Sequence, residues 1–81
     1  MTEYDNIDKL ANLITSYGEW SSNHSLIMIK CYSKYDSDTY LKMHYRNIVK
    51  ILKDARENGK IVFTKEEESA YNAIRSKYFP S

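Results

Sequence analysis

The chain has 81 residues, of which 42% are hydrophobic and 28% charged, with 12 Lys and Arg against 11 Asp and Glu. This length suits one domain with a modest core, and two glycines and one proline are too few turn residues for an all-β fold. A net charge of +1 excludes strong global attraction to nucleic acid, and a single cysteine, Cys31, excludes both an intramolecular disulfide and a cysteine-based metal site.

No stretch of the sequence is typical of a signal peptide or a membrane span. The first six residues are polar and acidic, and the longest apolar run is only residues 26–29. A secreted domain of this size usually needs disulfides. We therefore expect a soluble protein of the cytoplasm that can still contact the inner face of the cell membrane.

The first predicted element is a helix from about Tyr4 to Tyr17. Apolar residues recur in it at spacings of three and four, which gives a helix one apolar face. These residues are Ile7, Leu10, Ala11, Ile14 and Tyr17. Gly18 follows, at a position where a positive φ ends a helix at low cost.

The next stretch, from Glu19 to His24, is polar apart from Trp20 and is predicted to be a loop. Asn23 or Ser25 can then cap a second helix over residues 26–35. This segment is short, apolar and partly β-branched, so a strand is the alternative. We favour a helix because no partner strand is evident elsewhere, and a lone strand leaves its backbone groups without hydrogen bonds.

The third predicted element is a long helix that begins at Ser37 or Asp38 and runs to about Glu57. Its apolar residues alternate spacings of four and three, as in a helix that faces a core. They are Leu41, Tyr45, Ile48, Leu52 and Ala55. Asn58 and Gly59 are predicted to end the helix.

Residues 60–63 form a predicted extended connector whose apolar side chains close one end of the core. The last helix then begins with a capping box, in which Thr64 and Glu67 each bond the other's backbone amide. Pro80 marks its end. Its predicted inner face comprises Ala70, Tyr71, Ile74 and Tyr78.

These elements predict an all-α fold, an antiparallel four-helix bundle that forms a single domain over residues 1–81. Short connections between the helices favour antiparallel neighbours. The alternative is a three-helix domain in which the second segment is irregular.

No catalytic, metal or cofactor site is predicted, and no small-molecule substrate. His24 and His44 do not fall in a spacing that places two ligands on one helix face, so we expect a solvent-facing His24 and a partly buried His44. Cys31 lies in an apolar run, where a free cysteine behaves as a small hydrophobic residue. The run Glu66 to Glu68 points in three directions on a helix and serves its first turn.

Candidate partner-binding residues fall in two groups. Four basic residues follow one line of the third helix, either as its solvated back or as a contact for anionic lipid or an acidic protein. They are Lys42, Arg46, Lys50 and Lys53. Trp20, Tyr78 and Phe79 are candidate exposed aromatic anchors for a protein partner, with packing at the ends of the bundle as the alternative.

The second half of the chain resembles a known family. From Tyr40 to Tyr78 it has a long amphipathic helix that ends in Asn-Gly-Lys, a connector reading Ile61-Val62-Phe63-Thr64-Lys65-Glu66-Glu67-Glu68, and a last amphipathic helix. This order is similar to that of immunity proteins against class IIa (pediocin-like, enterocin A-like) bacteriocins, whose fold is an antiparallel four-helix bundle.

The resemblance implies self-protection of a Gram-positive bacterium. It implies a cytoplasmic protein that leaves free bacteriocin untouched and engages the membrane components of the mannose phosphotransferase permease once bacteriocin has bound them. The partner would then be a membrane permease complex, approached from its cytoplasmic face.

Two other functions are weighed against this one. The same composition fits a small phage or mobile-element protein that binds and modulates a host protein. A DNA-binding helix-turn-helix in the last two helices is disfavoured, because Glu66 to Glu68 would meet phosphates and the net charge is nearly zero.

Overall fold

Four helices account for most of the chain in a computed structural model, which describes residues 3–32 and 38–79. They are α1 (Glu3–Tyr17), α2 (Trp20–Tyr32), α3 (Asp38–Glu57) and α4 (Lys65–Tyr78). α1 and α3 each pack against both α2 and α4. The predicted four-helix bundle is confirmed, and the two alternatives, a strand in the second segment and a three-helix domain, are wrong.

Contacts along α3 and α4 show that these helices are antiparallel. Arg46, in the first half of α3, donates from Nε to the backbone oxygen of Tyr78 at 2.8 Å. Arg56, at the far end of α3, lies 3.7 Å from the carboxylate of Glu68 near the start of α4. The predicted helix end at Tyr35, the cap at Ser37 and the stop at Pro80 lie outside the described residues.

The core is built from the apolar faces that the spacing predicts. Every residue of the predicted stripes of α1, α3 and α4 is buried or half-buried. α2 adds Leu26 and Ile29, and the connector adds Ile61. The side chains with essentially no exposed surface include Ile7, Leu10, Ile14, Ile29, Ile48, Leu52, Tyr71 and Ile74.

α3 ends as the sequence predicts. Gly59 adopts a positive φ of 72°, its amide donates to the oxygen of Arg56, and the amide of Lys60 donates to the oxygen of Ala55 at 2.8 Å. These two bonds form a Schellman motif, which satisfies carbonyls that the end of a helix leaves without partners.

The connector between α3 and α4 is only partly inward-facing. Ile61 is buried and Phe63 packs against the core, but Val62 is 83% exposed, so its expected role in closing the core is wrong. In an extended segment successive side chains point to opposite sides, and therefore only alternate residues reach the core. The predicted capping box is confirmed: Glu67 N–H donates to Thr64 Oγ1 at 3.2 Å, and Thr64 N–H donates to Glu67 Oε1 at 2.8 Å.

We expect Thr64→Ala to lower the free energy of unfolding by about 1 kcal/mol, because the first turn of α4 loses the acceptor for one of its amides. Urea denaturation followed by circular dichroism measures this change. Ser69→Ala removes a hydroxyl from an exposed position inside the same helix and should leave stability unchanged or slightly higher. Equal losses for the two variants would contradict the capping role.

α2 begins earlier than the sequence predicts. Residues 20–24 of the predicted loop are helical, and neither Asn23 nor Ser25 caps the helix, because α2 begins at Trp20. The Glu19 carboxylate takes the capping role by accepting from the amide of Ser21 at 3.0 Å. A negative charge at this position also suits the helix dipole.

Candidate binding face on helices α2 and α3

Small polar side chains mediate the contact between α2 and α3. Ser22 and Ser25 are buried although both are polar. Ser22 Oγ donates to the backbone oxygen of Glu19, the residue before α2, at 2.9 Å, which satisfies that hydroxyl. Their small size lets the backbone of α2 approach its neighbours closely.

A hydrogen-bond network joins the two helices. Asn47 of α3 donates from Nδ2 to Ser21 Oγ at 2.9 Å and to Ser25 Oγ at 2.8 Å. Ser25 Oγ in turn lies 3.1 Å from His44 Nδ1. The network fixes the register of α2 on α3, because a shift of either helix would separate buried polar groups from their partners.

His44 is half-buried, as expected from the sequence. Burial lowers the pKa of its imidazole, and the neighbouring His24 lowers the pKa of His44 further. Their ring centroids lie 5.9 Å apart. His44 therefore remains neutral at neutral pH and can exchange a hydrogen bond with Ser25.

An open cleft of about 590 Å³ lies above this network, between α2 and α3. Among the described residues, no Asp or Glu lines it. The lining consists of hydroxyl, amide, imidazole and cationic groups together with one methionine: Ser21, His24, Ser25, Thr39, Lys42, Met43, His44, Arg46, Asn47 and Lys50.

Three of the four predicted basic residues line the cleft, and Lys53 does not. Lys42 and Lys50 are exposed, and neither forms an ion pair with a carboxylate that the structure describes. Arg46 is half-buried and held in place, since its Nε donates to the oxygen of Tyr78 and its guanidinium carbon lies 5.1 Å from the ring centre of Phe79. Lys42, Arg46 and Lys50 thus form part of one wall of the cleft.

The outward side of α2 is unusually apolar. Trp20 is 76% exposed and Ile27 is 56% exposed. With His24 and Cys31 they follow spacings of four, three and four, so they share one face of the helix. Cys31 is exposed, because Leu26 and Ile29 carry the inward face of this apolar run.

Aromatic stacking connects this apolar side to the cleft. The Trp20 indole stacks on the His24 imidazole, with ring centroids 5.3 Å apart and planes 8° apart. His24 is solvent-facing as expected, but it lies on α2 and not in a loop. Met43 of α3, which is 54% exposed, lines the same cleft as His24.

The two C-terminal candidate anchors are half-buried, in contrast to Trp20. The Tyr78 ring stacks on Tyr45 at 4.6 Å, and Phe79 packs against the core. Both side chains therefore pack at the end of the bundle, which is the alternative to an exposed anchor.

Neither a metal cluster nor a membrane span is found in the described part of the chain. No three His, Cys, Asp or Glu side chains there lie close enough together to hold an ion. None of the described helices is both long enough and apolar enough to cross a membrane.

Comparison of the chain with family models, with curated proteins and with solved structures finds no match.

Proposed function

We propose that this protein acts by binding another protein and not by catalysis, through a docking face on α2 and α3. This docking face is defined by the apolar side chains Trp20, Ile27 and Met43. The observation that carries the proposal is that α2 presents large apolar side chains outward as well as inward. A helix in a small bundle needs only one apolar face to fold, so the second apolar face is available for a partner.

The composition of the docking face also suits a protein contact. Tryptophan and methionine are enriched in such contacts, and a tryptophan is a frequent source of binding energy. The adjacent cations Lys42 and Lys50 add a rim that selects an acidic partner surface and speeds its approach.

At a finer level, we propose that the protein is an immunity protein against a class IIa bacteriocin. Its second half resembles that family from Tyr40 to Tyr78, and the four-helix bundle is the fold which that resemblance implies. The partner would be the membrane part of the mannose phosphotransferase permease carrying bound bacteriocin, contacted from the cytoplasm. The basic rim beside the docking face fits a position near anionic lipid headgroups.

The proposal predicts that expression of the chain protects a sensitive strain from at least one class IIa bacteriocin. Ile27→Gln with Met43→Gln should then lower the inhibitory concentration about tenfold or more, toward that of the unprotected strain, because the partner loses two apolar contacts. The readout is bacterial growth across a panel of such bacteriocins, with the amount of each variant checked by immunoblot.

Val62→Gln is the matched control, because Val62 is equally apolar and highly exposed but lies on the connector between α3 and α4. It should leave protection intact. Unchanged killing across the whole panel by cells that contain the folded protein would overturn the immunity role. Recovery of a soluble host enzyme through the same docking face would then favour the phage or mobile-element alternative.

A further inference from the structure

The cleft between α2 and α3 carries three cations, of which the docking proposal uses only Lys42 and Lys50, as a rim. Lys42, Arg46 and Lys50 follow one another at intervals of four residues, so their α-carbons cover about 12 Å of the helix axis. Like charges at this spacing repel each other. Among the described residues no carboxylate lines the cleft to balance them.

The amide donor of the cleft floor is already engaged. Asn47 gives its Nδ2 hydrogens to Ser21 and Ser25, and Ser25 also bonds with His44. Besides the hydroxyls of Ser21 and Thr39, the donors left for a ligand are the cationic groups of Lys42, Arg46 and Lys50. Such donors form their strongest hydrogen bonds with anionic oxygens.

Arg46 is positioned in advance for such a ligand. Its Nε is fixed on the oxygen of Tyr78, and its guanidinium lies over the ring of Phe79. An arginine that is held in one orientation loses less side-chain entropy when it binds an anion.

The length of the cationic wall selects the anion. A single phosphate group bridges at most two neighbouring cations, which lie about 6 Å apart along the helix axis, whereas two or three linked phosphate groups can reach all three cations. A cleft of about 590 Å³ that is open to solvent admits such a ligand. We propose that the α2–α3 cleft binds a ligand that carries two or three linked phosphate groups.

Two kinds of ligand carry such phosphate groups: a free oligophosphate compound, and a lipid with two phosphates in its headgroup, such as cardiolipin. The inference is independent of the proposed immunity role, because it concerns a binding event that is measured on the purified protein. Loss of one proposal therefore leaves the other standing.

The test titrates the purified chain with inorganic tripolyphosphate, with orthophosphate, and with phosphatidylcholine vesicles with or without cardiolipin. Trp20 is the only tryptophan and stacks on the cleft residue His24, so its fluorescence reports binding. Amide chemical shifts map the site. We expect saturable binding of tripolyphosphate, or of vesicles only when they contain cardiolipin, with shifts centred on the cleft and orthophosphate about tenfold weaker than tripolyphosphate.

The double variant Lys42→Gln with Lys50→Gln should weaken binding about tenfold or more. Lys53→Gln with Lys60→Gln removes the same charge from exposed positions outside the cleft and should change binding by no more than about twofold. Circular dichroism checks that all variants fold, and the shift map of the unaltered chain locates the site without any variant.

Binding of tripolyphosphate without cardiolipin-dependent vesicle binding identifies a free oligophosphate, and the reverse result identifies the lipid. Absence of saturable binding to both probes overturns the inference. So does equal weakening in the two double variants, or a shift map that is centred away from the cleft, because either result describes a general effect of net charge.

Discussion

Replacing Ile74 with alanine is expected to lower the free energy of unfolding by about 2 to 5 kcal/mol. Ile74 has no exposed surface and lies on the inner face of α4. The loss combines the transfer free energy of the removed carbons with the cost of the cavity they leave. A domain of this length has a total stability on the order of 4 to 12 kcal/mol, so the variant should be close to unfolding or largely unfolded.

Urea denaturation followed by far-ultraviolet circular dichroism measures this loss. Ile74→Val removes only one methylene group at the same position and should cost about 0.5 to 1.5 kcal/mol. Val62→Ala, at a highly exposed position, should change stability by less than about 0.5 kcal/mol. A similar small loss for Ile74→Ala and Val62→Ala would mean that α4 does not pack on the core as described.

Replacing Ser25 with leucine is expected to cost about 3 kcal/mol. Ser25 is 1% exposed, and its hydroxyl accepts from Asn47 and bonds with His44. Leucine is too large for the space between α2 and α3, and it leaves the buried part of the Asn47 amide without one of its partners. The expected loss arises although leucine is the better helix former.

Ser76→Leu is the matched control, because Ser76 is exposed on α4. It makes the same chemical change and should leave stability within about 0.5 kcal/mol of the starting value. Ser25→Ala separates the two causes, since it removes the hydrogen bonds without adding volume. Thermal and urea denaturation give the ranking, and a Ser25→Leu variant as stable as Ser76→Leu would contradict the close contact of α2 with α3.

Much of the fold is predictable because three helices obey simple local rules. In α1, α3 and α4 the apolar spacing marks the buried face, and Gly18, Gly59 and the Thr64–Glu67 capping box mark helix ends with local hydrogen bonds. These signals depend on residues a few positions apart, so the sequence contains them in full.

The start of α2 could not be predicted in this way. Serine and asparagine are typical of loops and caps, and the sequence therefore favoured a loop up to His24. A tertiary effect adds to the local cap from Glu19 in stabilising residues 20–25: Ser21 and Ser25 find their hydrogen-bond partner, Asn47, on α3. A partner that lies 26 residues from Ser21 and 22 residues from Ser25 leaves no mark on the local pattern.

In the candidate site, too, the features that lie on one helix are predictable and those that need two helices are not. The line of Lys42, Arg46 and Lys50 is visible in the sequence because it lies on one helix. The cleft cannot be predicted from the sequence, because its second wall comes from α2. The predicted loop over residues 19–24 places no helix there to form that wall. Once α2 begins at Trp20, the spacing from Trp20 to Ile27 predicts the outward apolar side directly.

Hydrogen bonds hold the connector between α3 and α4 at both of its ends, and this affects how the protein folds. The Schellman motif at Gly59 and the capping box at Thr64 fix the chain on both sides of only a few residues. The entropy lost in closing so short a loop is small, and contacts close in sequence form fastest. We therefore expect α3 and α4 to pair early in folding, before α1 and α2 dock on them.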